Sequence, residues 1–305
     1  MGLIQNVLFG LVTGSYIAIA AVGFTLIYGI VNMINFAYGE YMTAGAYVGF
    51  VVAQTFGLPL PVAGLVAVVG GGAFSLVVAK GFFTPLQDAG PIPLLLTSIG
   101  LGFVFRNGFR LIAGQETRYY DKIDTTTFRI EGVPDLGVGG VNLLGDFFVT
   151  SQHLTVIGLA LVTFLATHVL LTRTDLGIAM RATADNEDLA LVSGIETDYV
   201  RAAVWVLAGA LAGLAGMVIG VQTNVNAGIG FSQLLPIIAA AILGGAGSPY
   251  GAVVGSYIIG VVMSVSVVVL PTTATQLGTT AAFLVLIVVL LVRPSGITGQ
   301  EVREA

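Results

Sequence analysis

Few residues of this chain could do chemistry, because ionisable side chains interrupt its long apolar runs at only a few positions. Glu40 is the only acidic residue among the first 87 positions, and it follows Asn32 and Asn35 in the segment NMINFAYGE. A carboxylate within a bilayer is costly unless it faces a cavity or a partner, and irregular backbone there is tolerated only inside protein or against water. Two interpretations stay open: Glu40 lines a pathway, or it lies at a helix end beside the membrane interface.

A second interruption is rich in glycine rather than charged. The segment LGGAGSPYGAVVG, Leu243–Gly255, separates two apolar runs. Broken helices of this kind recur at transport pathways because their freed backbone groups can face a cavity. The segment is not a phosphate-binding loop, since the pattern GxxxxGK[ST] occurs nowhere in the chain. The candidate residues for a helix break or a pathway are therefore Asn32, Asn35, Glu40, Gly244, Gly245 and Ser248.

The third interruption is a polar stretch, Arg173–Arg201, between the apolar runs 154–171 and 202–221. Thr174 or Asp175 can cap a helix start, Gly194 can end that helix in a left-handed conformation, and Thr197 or Asp198 can cap the next helix. Small residues recur in it every three or four positions and predict one helix face: Ala179, Ala182, Asn186, Ala190 and Ser193. The pattern fits a helix that docks on a partner and equally a capped surface helix.

Other chemistries are excluded by what the chain lacks. It has no cysteine and only two histidines, so disulfides and thiolate-bound or histidine-bound metal sites are not expected. Its formal net charge of −5 opposes nucleic-acid binding, which requires a basic face. No Ser/His/Asp arrangement looks assembled. We therefore predict no catalytic residue, no metal site and no nucleic-acid partner.

The elements that must position these residues are membrane-spanning helices. The chain is 56% hydrophobic and 9% charged, whereas soluble domains carry about 25% charged residues. A bilayer core needs roughly 20 apolar residues per helix, and the apolar runs suffice for about eight to ten. We predict an all-α polytopic membrane protein with a single transmembrane domain, 1–305. The glycine pairs Gly209/Gly213 and Gly216/Gly220 predict closely packed helices.

The loops set the expected orientation. No Lys or Arg occurs in Gly137–Ser151, before the fifth apolar run, whereas Arg173 and Arg181 follow that run. The positive-inside rule then predicts that 173–201 is cytoplasmic and that the longest hydrophilic loop, 114–152, lies outside. Its TTTFRIEG segment and glycine cluster predict a small hairpin of short strands. Arg106 and Arg110, one turn apart near the end of the fourth run, are expected to extend to the interface.

The residues alone leave three functions open: the membrane subunit of an ATP-driven transporter, a secondary transporter, or a membrane-embedded scaffold. No nucleotide-binding motif and no run of intramembrane carboxylates is present. A glycine-rich bundle with interrupted helices and one capped polar segment favours the first, in which a separate motor moves the bundle.

Five segments resemble the permease family of branched-chain amino acid ABC importers, most closely the smaller of the two homologous permeases. They are 10–47 (with NFAYGE), 93–103 (PLLLTSIGLGF), 173–201, 240–255 (AAILGGAGSPYGAVVG) and 293–299 (RPSGITG). The resemblance implies a type II importer-like helical bundle in a prokaryotic plasma membrane. It also implies a second homologous permease, two ATP-binding subunits that bind the ATP, and an extracytoplasmic binding protein. No cofactor is expected in this chain itself.

The resemblance also implies roles for particular residues. Thr174–Ser193 would form the cytoplasmic coupling helix, and its small-residue face would contact the ATPase. Arg181 would pair with an acidic rim of the ATPase, and Gly194 would turn the chain back into the sixth span. The residues so assigned are Ala179, Arg181, Ala182, Asn186, Ala190 and Gly194. Leucine, isoleucine and valine are the expected cargo, with polar amino acids, amides or urea, or an ion-coupled mechanism, as alternatives.

Overall fold

The computed structural model describes residues 2–121, 125–130, 137–138, 141–142, 146–269, 277–293 and 296–298. Helices dominate these ranges. The α-helices are α1 Leu3–Val31, α2 Tyr38–Phe50, α3 Leu60–Val78, α4 Pro91–Ala113, α5 Ser151–Arg173, α6 Asp175–Asp185, α7 Glu187–Val192, α8 Thr197–Gln222, α9 Ile229–Gly244, α10 Pro249–Val269 and α11 Leu277–Val292. Four short strands accompany them: β1 Thr127–Ile130, β2 Gly137–Val138, β3 Val141–Asn142 and β4 Phe147–Thr150.

Six helices in the described part of the chain are long and apolar enough to cross a membrane. They are α1, α3 with the π and 3-10 turns that continue it to Gln87, α4, α5, α8 and α10. Two shorter apolar helices, α9 and α11, add to them. The prediction of an all-α polytopic membrane protein is confirmed.

The predicted hairpin in the 114–152 loop is present. β1 pairs antiparallel with β4, so that Thr127 lies opposite Thr150, and β2 pairs antiparallel with β3. The Gln5 side chain holds β4 to α1, because it accepts from the Phe148 N–H at 2.8 Å and donates to the Phe148 carbonyl at 3.2 Å. The placement of this loop outside the cell stays a prediction.

The chain divides into two compact units. One comprises Met1–Ala21, Lys122–Val162 and Pro236–Ala305, and the other comprises Val22–Asp121 and Thr163–Leu235. We call them unit 1 and unit 2. The prediction of a single transmembrane domain stays a prediction.

Glycines bring the helices of unit 2 into backbone contact. A Cβ on Gly216 of α8 would overlap the Met42 backbone of α2, and one on Gly71 of α3 would overlap the Gly209 carbonyl. A Cβ on Gly45 would likewise overlap the backbone of Gly213. Only glycine permits these distances, so α2, α3 and α8 form the tightly packed centre of the unit that the glycine pairs predict.

Large aromatic side chains fill the space beside these glycine contacts. Tyr41 of α2 meets Tyr38, Phe74 and Trp205 edge to face, with centroid distances of 6.0, 5.7 and 6.5 Å. Tyr38 and Tyr41 are fully buried, and the Tyr38 hydroxyl donates to the Ala208 carbonyl at 3.2 Å. This rigid cluster fixes the first turn of α2, where Glu40 lies.

In unit 1, glycines again set the distances between helices. Side chains on Gly10 and Gly14 of α1 would overlap the backbone of α10 at Val261 and Tyr257. The Ser15 and Tyr257 hydroxyls share a hydrogen bond of 3.2 Å at the same contact.

Candidate functional site

The first helix break of the sequence is a turn whose polar groups are satisfied locally. α1 ends at Val31, and Asn32 takes a left-handed backbone with φ of 52°. Asn35 is buried, its Oδ1 accepts from the Ala37 N–H at 2.9 Å, and its amide donates to the Tyr41 hydroxyl at 3.4 Å. Asn32 and Asn35 are thus helix-break residues, as predicted, and a role in a pathway stays a prediction.

Ser98 of α4 holds this turn from outside. Its buried hydroxyl accepts from the Phe36 N–H at 3.0 Å and donates to the Leu95 carbonyl at 2.7 Å. Ser98 thus provides an acceptor for the backbone N–H of Phe36, which lies between α1 and α2. Ser98 was not identified from the sequence.

Glu40 lies in the first turn of α2 and is fully buried. Its Oε1 accepts two hydrogen bonds from Arg106 of α4, at 3.0 Å from Nε and 2.9 Å from Nη2. The Arg106 side chain is only 11% exposed. The expectation that Arg106 extends to the membrane interface was therefore wrong, because a buried carboxylate attracts its guanidinium inward. Glu40 thus lies at a helix end, and its position beside the membrane interface or in a pathway stays a prediction.

Two aromatic rings flank the Arg106 guanidinium. Its central carbon lies 3.5 Å from the Phe231 centroid and 5.7 Å from the Phe103 centroid. A guanidinium over an aromatic face is favoured by the negative charge of the ring's π surface. Arg106 is thus held on one side by Glu40 and on the others by rings.

The N-termini of α2 and α9 meet next to this ion pair. A Cβ on Gly230 would overlap the carbonyl of Gly39, so the two backbones touch. The Gly230 N–H also donates to the Thr43 hydroxyl at 3.3 Å. Helix N-termini carry partial positive charge, which favours the carboxylate of Glu40 in the first turn of α2.

The second helix break, in unit 1, lies between α9 and α10. α9 ends at Gly244, and Gly245 follows with φ of 115°. The Ser248 hydroxyl accepts from the Gly251 N–H at 3.1 Å and so caps α10. Thr298 completes the turn, since its hydroxyl donates to the Gly244 carbonyl at 2.7 Å and approaches the Ser248 hydroxyl at 3.0 Å. The predicted break is confirmed, and a pathway role for its residues stays a prediction.

The polar stretch consists of two helices, α6 and α7, rather than one. Thr174 caps α6 by accepting from the Gly177 N–H at 3.1 Å, and Gly194 follows α7 with φ of 88°, both as predicted. The prediction of one continuous helix was wrong at Asn186. That residue is extended, and its Oδ1 caps α7 by accepting from the Leu189 N–H at 2.9 Å. The cap predicted at Thr197 or Asp198 was also wrong, because the N-cap of α8 is Glu196.

The small residues of this stretch do not share one outward face. Ala190 is buried, Ala179 and Ala182 are half-buried, and Asn186 and Ser193 are exposed. Arg181 donates a hydrogen bond from Nη1 to the Leu171 carbonyl at the end of α5. This bond uses one donor of the guanidinium that was expected to pair with the ATPase. The break at Asn186 turns the two halves of the stripe apart, so the stripe mainly packs inward.

Two contacts that the sequence did not reveal fix α6 and α7 to the neighbouring spans. Gly177 is buried where a Cβ would overlap the carbonyls of Leu170 and Leu171. Arg201 of α8 pairs with Glu187 of α7 and, at 2.7 Å, with Asp198. The only sequence signal for the contact of α6 with α5 was Gly177, three positions after the helix cap Thr174.

The outward surface of the stretch is instead formed by large apolar side chains. We define the α6–α7 surface as Ile178, Leu189, Leu191 and Val192, which are 54%, 65%, 57% and 87% exposed. All four lie outside the helices long enough to span a membrane. A group of exposed large apolar residues on a polar segment indicates a surface that another molecule covers.

The comparisons with known proteins agree with one another. Residues 6–292 match the family described as branched-chain amino acid transport system / permease component. The chain is 31% identical over 306 residues to the high-affinity branched-chain amino acid transport system permease protein LivH of Escherichia coli (strain K12), covering 97% of this chain and 96% of that protein. BraD of Pseudomonas aeruginosa, a permease protein of the same description, is 28% identical with the same coverage.

Two further proteins show similarity to this chain. The probable branched-chain amino acid transport permease protein LivH of Methanocaldococcus jannaschii is 29% identical, over 95% of this chain and 91% of that protein. The solved structure of PsaBC from Streptococcus pneumoniae in complex with Fab has a TM-score of 0.48 and 15% identity, over 97% of this chain and 93% of that one. The relatives confirm the predicted class, a multi-pass transport permease of the plasma membrane. This chain belongs to the family of permease components of branched-chain amino acid transport systems.

Proposed function

We propose that this chain is the membrane-spanning permease subunit of an ATP-driven importer of branched-chain amino acids. The family match over residues 6–292 supports the transport role, and the names of LivH and BraD support the cargo. A second homologous permease, two ATP-binding subunits and an extracytoplasmic binding protein complete the proposed transporter. ATP is bound by the partner subunits, and this chain contributes the path through the membrane.

The α6–α7 surface is the feature that supports contact with the ATP-binding subunits. Its four exposed apolar side chains lie between spans α5 and α8, where the family places its contact with the ATPase. The predicted coupling residues then act in several ways. Asn186 starts α7, Ala190 packs inward, and Gly194 turns the chain into α8.

The fixed geometry of the surface makes it suited to receive force. Gly177 seats α6 on the end of α5, and the ion pair of Arg201 with Glu187 ties α7 to α8. A push on α6 and α7 when the ATP-binding subunits close is thus transmitted to both adjoining spans. Rocking of these spans alternates the access of the pathway between the two sides of the membrane.

The test places a charge on the proposed contact without touching the core. Leu189→Asp and Val192→Asp each remove an exposed apolar side chain whose burial contributes about 1.5–3 kcal/mol. We expect each variant to insert normally but to bind the ATP-binding subunits about 10- to 100-fold more weakly, with a matching loss of ATP-driven leucine uptake in proteoliposomes. Leu189→Met and Val192→Ile are the matched controls, since they keep the surface apolar.

Three outcomes would contradict parts of the proposal. Normal co-purification and uptake in both aspartate variants would exclude the α6–α7 surface as the motor contact. Uptake of urea, an amide or a polar amino acid but not leucine by the wild-type complex would change the cargo. Uptake by this chain alone, driven by an ion gradient without ATP-binding subunits, would establish a secondary transporter instead.

A further inference from the structure

The ion pair of Glu40 and Arg106 leaves one hydrogen-bonding position unused on each partner. Both donors of Arg106 point to the same oxygen, Oε1 of Glu40. The other oxygen, Oε2, is buried and has no partner among the described residues. Arg106 Nη1 likewise makes no hydrogen bond within the described part of the chain. A buried carboxylate oxygen without a partner costs free energy, and such atoms in native proteins call for a missing ligand or another explanation.

The position of the pair within α2 and α4 is suited to a solute site. Glu40 lies ten residues before Phe50, the end of α2, and Arg106 seven residues before Ala113, the end of α4. At 1.5 Å per residue these separations are roughly 15 and 10 Å. Both ends lie on one side, because Tyr120, which follows α4, contacts Phe50 edge to face at 5.3 Å. The pair is thus about two to three helical turns from these ends, beside the N-termini of α2 and α9, and transporters bind solutes beside the N-termini of interrupted helices.

We propose that Glu40 and Arg106 together bind the ammonium and carboxylate groups of a zwitterionic α-amino acid during its passage. This inference rests on the proposed function and names the residues that recognise its cargo. The solute ammonium donates to Glu40 Oε2, and the solute carboxylate accepts from Arg106 Nη1. An α-amino acid carries these two groups on the same carbon atom, which matches a carboxylate and a guanidinium that are already in contact.

Charge balance favours a zwitterion over an ion. The pair has one negative and one positive charge, and Arg110, the next charged residue of α4, is exposed. A solute of zero net charge enters this buried site without leaving an uncompensated charge there, whereas a lone cation or anion would. The rings of Phe103 and Phe231 beside Arg106 offer an apolar wall to the solute side chain.

The first test separates solute recognition from coupling in the complete transporter. Glu40→Gln keeps the size of the side chain and removes its charge. We expect leucine uptake by proteoliposomes to fall about 10- to 100-fold, which is the effect of losing a hydrogen bond to a charged group. ATP hydrolysis stimulated by the leucine-loaded binding protein stays within about twofold of wild type, because the motor contact is unchanged. Arg110→Gln is the matched control and should retain both activities.

A purely structural role of the pair is tested by removing both charges. The double variant Glu40→Gln/Arg106→Gln leaves no unpaired buried charge. If the pair only stabilises the fold, this variant recovers uptake from the level of Glu40→Gln, and that recovery would overturn the proposal. If the pair binds the solute, uptake stays low although the protein elutes as a monodisperse complex.

A second test uses the absence of cysteine from the chain. Phe231→Cys places the only thiol of this chain next to Arg106, and its reaction with a methanethiosulfonate reagent can be followed as the mass increase of this subunit within the complete complex. We expect leucine to slow this reaction several-fold, and expect 4-methylpentanoate and 3-methylbutylamine, each lacking one charged group, not to slow it. Equal rates with and without leucine, or equal protection by the two analogues, would overturn the site.

The outcomes also separate this site from the proposed function. If the wild-type complex transports a different zwitterionic amino acid and that solute protects the thiol, the cargo assignment fails and the site stands. If leucine is transported but Glu40→Gln transports it as well as wild type, the cargo stands and the site fails.

Discussion

Replacement of Gly216 by alanine tests one of the closest helix contacts of unit 2. A Cβ at this position in α8 would lie 2.6 Å from the carbonyl carbon and 2.9 Å from the Cα of Met42 in α2, and closer still to the Met42 carbonyl oxygen. All three atoms belong to the backbone, so no side-chain rotation can relieve the overlap. The helices must move apart, and overpacking of this kind costs about 1–3 kcal/mol.

The loss can be measured as a melting shift of the purified protein. A change of 1 kcal/mol moves the midpoint of a domain of 150–250 residues by about 2–4 °C. We therefore expect Gly216→Ala to lower the midpoint by about 2–12 °C, followed as the fraction that remains monodisperse after heating.

A second glycine supplies the control. Gly100 lies inside α4, another candidate span, and a Cβ there would meet nothing within 4 Å. Gly100→Ala is expected to keep or raise the midpoint, because alanine is favoured over glycine inside a helix by about 0.5–1 kcal/mol. The reasoning would be refuted if Gly216→Ala melted at or above the wild-type temperature, or if Gly100→Ala lowered the midpoint as much.

Two further substitutions test polar groups at the edges of unit 2. Ser98→Ala removes the acceptor of the Phe36 N–H, so we expect the free energy of unfolding to fall by about 1–3 kcal/mol in thermal or denaturant unfolding. Thr97→Ala, at the half-buried neighbouring position, is the control and should change stability little. Equal losses in the two variants would contradict the role of Ser98. Burial raises the pKa of the Tyr120 phenol, whose hydroxyl has no partner among the described residues. Tyr120→Phe should therefore leave stability at pH 7 unchanged or up to about 1 kcal/mol higher. Above about pH 10 the unfolded phenol ionises before the folded one, so wild type should lose more stability there than Tyr120→Phe. Equal losses of stability in both proteins from pH 7 to 11 would contradict this cause.

The sequence predicted those features that depend on neighbouring residues. Thr174 and Gly194 bound the polar stretch as expected, because a cap and a left-handed turn are decided by the side chain or glycine at that position. The break at Asn186 had a local signal too. An asparagine followed by two acidic residues, Glu187 and Asp188, is a helix start, but the small-residue stripe favoured a continuous helix.

The features that escaped prediction depend on residues far apart in the chain. Glu40 and Arg106 are separated by 66 positions, and their pairing requires the packing of α2 against α4. The position of Arg106 near a helix end made an interfacial location equally consistent with the sequence. Phe231, which covers Arg106, belongs to α9, a third element. Its aromatic side chain has no distinguishing pattern in an apolar sequence, so it could not have been assigned.

Helix α8 connects the two sites within unit 2. It begins beside the α6–α7 surface, where Arg201 pairs with Glu187. Further along, its Gly216 meets the backbone of α2 at Met42, four positions after the start of α2 at Tyr38. Because glycine contacts leave no flexible side chain between the two backbones, a displacement of α8 must move α2 as well. Gly216→Ala loosens this link without touching either site. We therefore expect the variant to hydrolyse more ATP per leucine transported than wild type. An unchanged ratio at reduced stability would show that force reaches Glu40 by another route.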